Sequence, residues 1–124
     1  MSQANPVTWF EIYVQDLARA QAFYEAMLGV QLQPLNAGSV PEFLAFPMGD
    51  GAGSAGALAH VEGMPSGNNS VMVYFECEDC GVTAARAVAA GGELVSDKFS
   101  VGEFGFVAHV RDTETNMIGL HSAR

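Results

Sequence analysis

Val7-Thr8-Trp9-Phe10-Glu11-Ile12-Tyr13-Val14-Gln15-Asp16-Leu17 begins with strict alternation and then changes period. Phe10, Ile12 and Val14 make one unbroken apolar face and Trp9, Glu11 and Tyr13 the other, which is the two-residue period of a strand. Asp16 is a helix-starting residue, Leu17 to Leu28 is amphipathic, and Gly29 stops it. The same phrase returns at Val71 to Cys77, with Asp79 at the helix start, an alanine-rich stretch from Val82 to Ala90, and Gly91 and Gly92 behind it. Asp16 and Asp79 therefore anchor two copies of one pattern, each continuing into a short strand, Val30 to Leu32 and Glu93 to Val95.

Beyond those strands each copy has a loop, an apolar strand (Phe43 to Phe46, Phe104 to Val110), a turn at Asp50 or Asp112, and a last strand (Gly56 to Val61, Met117 to His121). The order is βαβββ twice, an α+β class. The spacing predicts module one at about residues 7–62, a Gly-, Pro-, Ser- and Asn-rich linker at about 63–70 and module two at about 71–122, all within one domain, 1–124. Units of about 60 residues are marginal alone, so the modules are expected to share a core, within the chain or across a dimer. Phe10, Ile12, Val14, Phe23, Leu28, Val71, Val73 and Phe75 are the residues expected beneath the helices.

The 124 residues are 49% hydrophobic, enough to bury a sizeable core. The formal net charge of −9 opposes contact with nucleic-acid phosphates or anionic membranes. No apolar run approaches the roughly 20 residues that cross a bilayer, and Met1 to Pro6 is polar, so the expected location is cytoplasmic. Cys77-Glu78-Asp79-Cys80 is a C-x-x-C at a strand-to-helix junction. It lacks the second pair of a structural zinc site, and Cys77 falls on the apolar face. The glycines from Gly49 to Gly56 lack the Lys-Ser/Thr ending of a phosphate cradle and lead into a strand, so they read as a hairpin connection.

Glu11 and Tyr74 each lie five positions before their anchoring aspartate. If Trp9, Glu11 and Tyr13 line a ligand site, so do Met72, Tyr74 and Glu76. Aligning Ala57-Leu58-Ala59-His60 with Ile118-Gly119-Leu120-His121 pairs His60 with His121. A carboxylate on an otherwise aromatic face needs a partner, which makes Glu11 the candidate acid or base and the candidate seat for an imidazole or a ligand amine. Aromatic faces also attract flat or cationic ligands. The bland reading of His60 and His121 is a polar strand end satisfied by backbone or water. His109, among Phe106, Ala108 and Val110, reads as exposed or structural.

Val14-Gln15-Asp16-Leu17, Ala22-Phe23-Tyr24 and Leu28-Gly29-Val30, followed by Ala89-Ala90-Gly91-Gly92, Phe104-Gly105-Phe106 and Asp112-Thr113-Glu114-Thr115-Asn116, resemble recurrent strings of the vicinal oxygen chelate superfamily, which contains glyoxalases, bleomycin-resistance proteins and extradiol dioxygenases. The resemblance runs from Val7 to Ser122. It implies two βαβββ modules forming a curved mixed-sheet cup (the glyoxalase/bleomycin resistance/dihydroxybiphenyl dioxygenase fold) that holds a small molecule, a divalent metal such as Zn, Ni, Fe or Mn, or both, often in a homodimer. The family's metal-ligand positions fall here on Trp9, Leu58, Met72 and Gly119, which are poor ligands. His60, His121 and Glu11 lie two residues further along their strands and make the candidate displaced metal set, with Tyr74 in the fourth place. Two functions follow as expectations: a glyoxalase-like lyase or isomerase, or a metal-free binder of a drug or metabolite. A third possibility is an interaction module whose cup is filled by its own side chains.

Overall fold

The computed structural model describes residues 5–36 and 38–124. In chain order the elements are β1 (Trp9–Tyr13), α1 (Leu17–Leu28), β2 (Gln33–Pro34), β3 (Glu42–Ala45), β4 (Ala55–His60), β5 (Tyr74–Glu76), α2 (Cys80–Ala89), β6 (Glu93–Ser100), a short 3-10 turn at Gly102–Phe104, β7 (Phe106–Arg111) and β8 (Met117–Ser122). They form two four-stranded mixed sheets ordered β1-β4-β3-β2 and β5-β8-β7-β6. In each, the first strand runs parallel to the last and the remaining pairs are antiparallel. The two halves thus share one topology, as the repeat predicts.

Local chemistry explains the helix ends. Asp16 caps α1 by accepting from the Arg19 N–H at 3.0 Å, and Asp79 caps α2 by accepting from the Gly81 N–H at 2.9 Å. Gly29 closes α1 in the left-handed conformation at φ 68°. Three elements depart from expectation. Val30 to Leu32 is not a strand, because the Leu32 N–H is taken by the Glu25 side chain at 2.9 Å, and pairing starts only at Gln33. β6 extends five residues past Val95, following β7 through two register shifts. β5 is short, and Val71, expected in the core, is 70% exposed because the ladder on β8 begins only at Val73.

The core lies between the helices and one face of each sheet. Ile12, Val14, Phe23, Tyr24, Met27, Leu58, Ile118 and Leu120 are buried there, with Phe10, Leu28 and Phe75 packed against them. The ring of Phe75 lies 6.0 Å from Phe10, 5.4 Å from Phe46 and 5.9 Å from Tyr24, so aromatic residues of both halves meet in one cluster.

The register also fixes the internal equivalence. The Val14 N–H donates to the Ala59 carbonyl at 3.0 Å, and the Cys77 N–H donates to the His121 carbonyl at 2.8 Å. Since Val14 and Cys77 stand at the same distance from their capping aspartates, Ala59 is the counterpart of His121. The expected match of His60 with His121 is one residue off, and His60 corresponds to Ser122. In a sheet a one-residue slip exchanges the faces.

Candidate functional site

The face of β1 turned away from the helices carries Trp9, Glu11 and Tyr13, beside Ala55, Ala57 and Ala59 of β4. Glu11 is exposed, and its two oxygens accept from the Trp9 indole N–H and the Tyr13 hydroxyl, each at 3.2 Å. The alanines beside it leave room for those aromatic side chains. The phenol of Tyr13 is shifted upward by partial burial and by the Glu11 carboxylate, so it stays a donor. Because among the described residues β1 pairs only with β4, its other edge borders a cleft of about 430 Å³ whose walls include Phe10, Glu11, Ile12, Tyr13, Val73 and Met117.

On the second sheet the corresponding face carries Tyr74, Glu76, Gly119 and His121 in direct register. His121 Nδ1 lies 2.6 Å from Glu76 Oε1, and its Nε2 lies 2.6 Å from the Phe104 carbonyl oxygen. Both partners are acceptors, so both contacts are hydrogen bonds when the ring is protonated. The Phe104 carbonyl and then the Glu76 carboxylate hold its pKa above the ordinary histidine value. Tyr74 instead meets His109 of β7, its hydroxyl 2.8 Å from Nε2.

The sequence-derived candidates therefore fall in three hydrogen-bonded groups, with Met72 and His60 outside them. Glu11, Trp9 and Tyr13 form one hydrogen-bonded group, of which Glu11 and Tyr13 line the cleft. Glu76 and His121 form a second and Tyr74 with His109 a third. Met72 is half-buried and is not among the residues lining the cleft. His60, one residue past Ala59, belongs to the face of Leu58 and Ile12 and emerges exposed at the strand end, opposite Glu42.

Such a donor set does not fit a metal centre. Glu11 already receives two donors, both nitrogens of His121 are engaged, and His60 lies on the other face. Among the described residues no three His, Cys, Asp or Glu side chains come together to hold a metal ion. The Cys77 thiol is pushed up by burial and Cys80 is fully buried, which disfavours thiolate chemistry at the C-x-x-C.

Sequence reasoning missed the polar tie at Asp112 to Asn116. The hydroxyl of buried Tyr24 donates to Asp112 Oδ2 at 2.5 Å. Glu114 accepts from the backbone of Gln15 and Asp16 and from the Arg19 guanidinium, whose Nε lies 2.7 Å away. Asn116 donates to the Tyr13 carbonyl at 2.9 Å and accepts from the Gly67 N–H at 2.7 Å. This turn of the second half fixes the end of the strand that carries Glu11. The acidic residues in the turn were visible, but their partners, about 100 residues away, were not.

Comparison with known proteins gives a consistent picture. The bleomycin resistance protein-like N-terminal family matches residues 7–40. A putative glyoxylase, CFP32, of Mycobacterium tuberculosis (strain CDC 1551 / Oshkosh) is 25% identical over 114 residues, covering 92% of this chain and 42% of its own. The chain thus spans about two fifths of the length of the curated relatives it matches. A glyoxalase/bleomycin resistance protein from Streptomyces sp. CB03234 is 25% identical, with a TM-score of 0.70 over 93% of this chain and 98% of that one. TnmS3, an antibiotic binding protein from the same organism, is 24% identical, with a TM-score of 0.70 and 98% coverage of both chains.

Proposed function

As a member of the vicinal oxygen chelate superfamily, the group of its glyoxalase and bleomycin-resistance relatives, this chain is, we propose, a binder of small organic molecules that uses Glu11 rather than a metal as its polar anchor. The observation that carries this reading is the Glu11 carboxylate, oriented by Trp9 and Tyr13 at the wall of the 430 Å³ cleft. Its negative charge, beside aromatic rings and a mixed wall that is apolar at Phe10, Ile12, Val73 and Met117, suits a cationic molecule with an apolar body. That an antibiotic binding protein shares the fold supports a binding role of this kind. A homodimer belongs to the same reading.

The test uses benzyltrimethylammonium and its neutral counterpart, benzyl alcohol. Trp9 is the only tryptophan, so its fluorescence reports directly on the Glu11 group. The cation is expected to bind and change that emission, and Glu11→Gln, which keeps the shape and removes the charge, is expected to weaken it about tenfold, as would the loss of about 1.4 kcal/mol of attraction between the cation and the carboxylate. Equal binding of both compounds, or no effect of Glu11→Gln, overturns the reading. Elemental analysis of untagged protein adds an independent check, since a stoichiometric transition metal removed by Glu11→Gln would assign the anchor to a metal instead.

A further inference from the structure

The face of the second sheet turned away from the helices carries three rings in a row across three strands. Tyr74 of β5 lies 5.7 Å from His109 of β7, and Phe99 of β6 lies 5.8 Å from the same imidazole. Tyr74 and Phe99 are 48% and 43% exposed, whereas Phe23 and Tyr24 of α1, in the core between the helices and the sheets, are buried. The row exists because of Gly119. A Cβ there would stand 2.3 Å from the Tyr74 ring, so only glycine lets that ring lie flat across β8 and reach the strand beyond. Glycine inside a strand weakens it, and an exposed side-chain hydrogen bond returns little stability. The fold gains little from this arrangement, which points to a ligand.

We propose that Tyr74, His109 and Phe99 form a binding site for a planar aromatic molecule bearing a phenolic hydroxyl. The rings of the row supply the stacking surface. With Tyr74 donating to His109 Nε2, the Tyr74 oxygen accepts the hydroxyl of the ligand, and the three groups form one hydrogen-bonded chain in which each bond strengthens the next. The ligand needs both features: a flat ring to cover the row and an O–H to complete the chain. One register step away, both ring nitrogens of His121 are engaged by Glu76 and the Phe104 carbonyl, which leaves the Tyr74 oxygen as the acceptor within the row itself. The site lies on the opposite sheet from Glu11 and does not rest on the cation-binding reading.

Calorimetric titration with 2-naphthol and 2-methoxynaphthalene tests it, with the full chain in both cases. The naphthol is expected to bind about tenfold tighter than its methyl ether, because the ether has a similar ring and no proton to donate. Tyr74→Phe and His109→Gln are each expected to abolish that difference while keeping the binding of the ether. Gly119→Ala, which displaces the Tyr74 ring, is expected to weaken both ligands. Should Tyr74→Phe fail to fold, as judged by circular dichroism, His109→Gln carries the comparison alone. Saturating benzyltrimethylammonium is expected to leave naphthol binding unchanged, so the two sites stand or fall separately. Equal affinity for naphthol and ether, or a preference that survives both substitutions, overturns the proposal. So does a concentration-dependent dimer whose formation excludes the naphthol, which would assign this face to a second copy of the chain.

Discussion

Glu114 has no side-chain exposure, yet it remains a carboxylate because donors surround it. Burial pushes its pKa up, but the Arg19 guanidinium, the N–H groups of Asp16 and Gln15 and the Thr113 hydroxyl outweigh that and bring it down to about 2. Its neighbour Asp112 goes the other way. Burial raises the Asp112 carboxyl, and the hydrogen bonds from Tyr24 and Asn116 only partly oppose the shift. The signs then separate their roles in acid. A carboxyl depressed on folding contributes stability that is present above its unfolded value of about 4.5 and is lost as pH falls through about 2. A carboxyl raised on folding does the reverse, so protonating Asp112 relieves a cost and the acid loss belongs to Glu114. Urea unfolding across this range should show stability falling from about pH 4.5 downward. Glu114→Gln should be weaker by about 1.5 to 3 kcal/mol at pH 7, the value of hydrogen bonds to a charged group, and should lose much of that pH dependence. Parallel curves for the two proteins would mean that the tie contributes nothing.

Among the elements, β5 separates what the chain's alternation encodes from what the ladder decides. Alternation puts Val71, Val73 and Phe75 on one apolar face, but only Phe75 reaches the aromatic cluster of Phe10, Tyr24 and Phe46. Val71 lies before the strand begins and is 70% exposed. Phe75→Ala is therefore expected to cost about 3 to 5 kcal/mol, and Val71→Ala to stay within about 0.5 kcal/mol of the parent in the same urea assay. Similar costs for both would restore Val71 to the core and refute the ladder described here. The contrast also shows why some features were legible and others not. Helix ends and strand faces were readable because Asp16, Gly29, Asp79 and the alternation of β1 act through neighbours in sequence. The pairing of β4 with β1, and hence the side on which His60 emerges, depends on hydrogen bonds between segments about 45 residues apart, and one residue of error inverts the face. The sequence shows His109 only as exposed or structural for the same reason. Nothing near it in sequence announces Tyr74, though Gly119 in the middle of an apolar strand marks where a ring crosses.

For the molecule as a whole, the repeat poses the question of whether the two halves are separable. Each sheet has its own ladder, and no strand of one pairs with a strand of the other. Two features bind them nonetheless: the aromatic cluster that draws Phe10, Tyr24 and Phe46 together with Phe75, and the turn at Asp112 to Asn116 that holds β1 and α1 through Tyr13, Gln15, Asp16 and Arg19. A half of about 60 residues is marginal alone, and these two share the aromatic cluster, so losing either partner should unfold the other. The two halves are accordingly expected to unfold as one cooperative unit. Trp9 reports on the first half by fluorescence, and the imidazole signals of His109 and His121 report on the second by NMR. Their urea midpoints should coincide, and Glu114→Gln should lower both by the same amount even though Glu114 belongs to the second half. Two separate midpoints, or a substitution felt only by the histidines, would show that the modules fold independently and that the tie merely joins them.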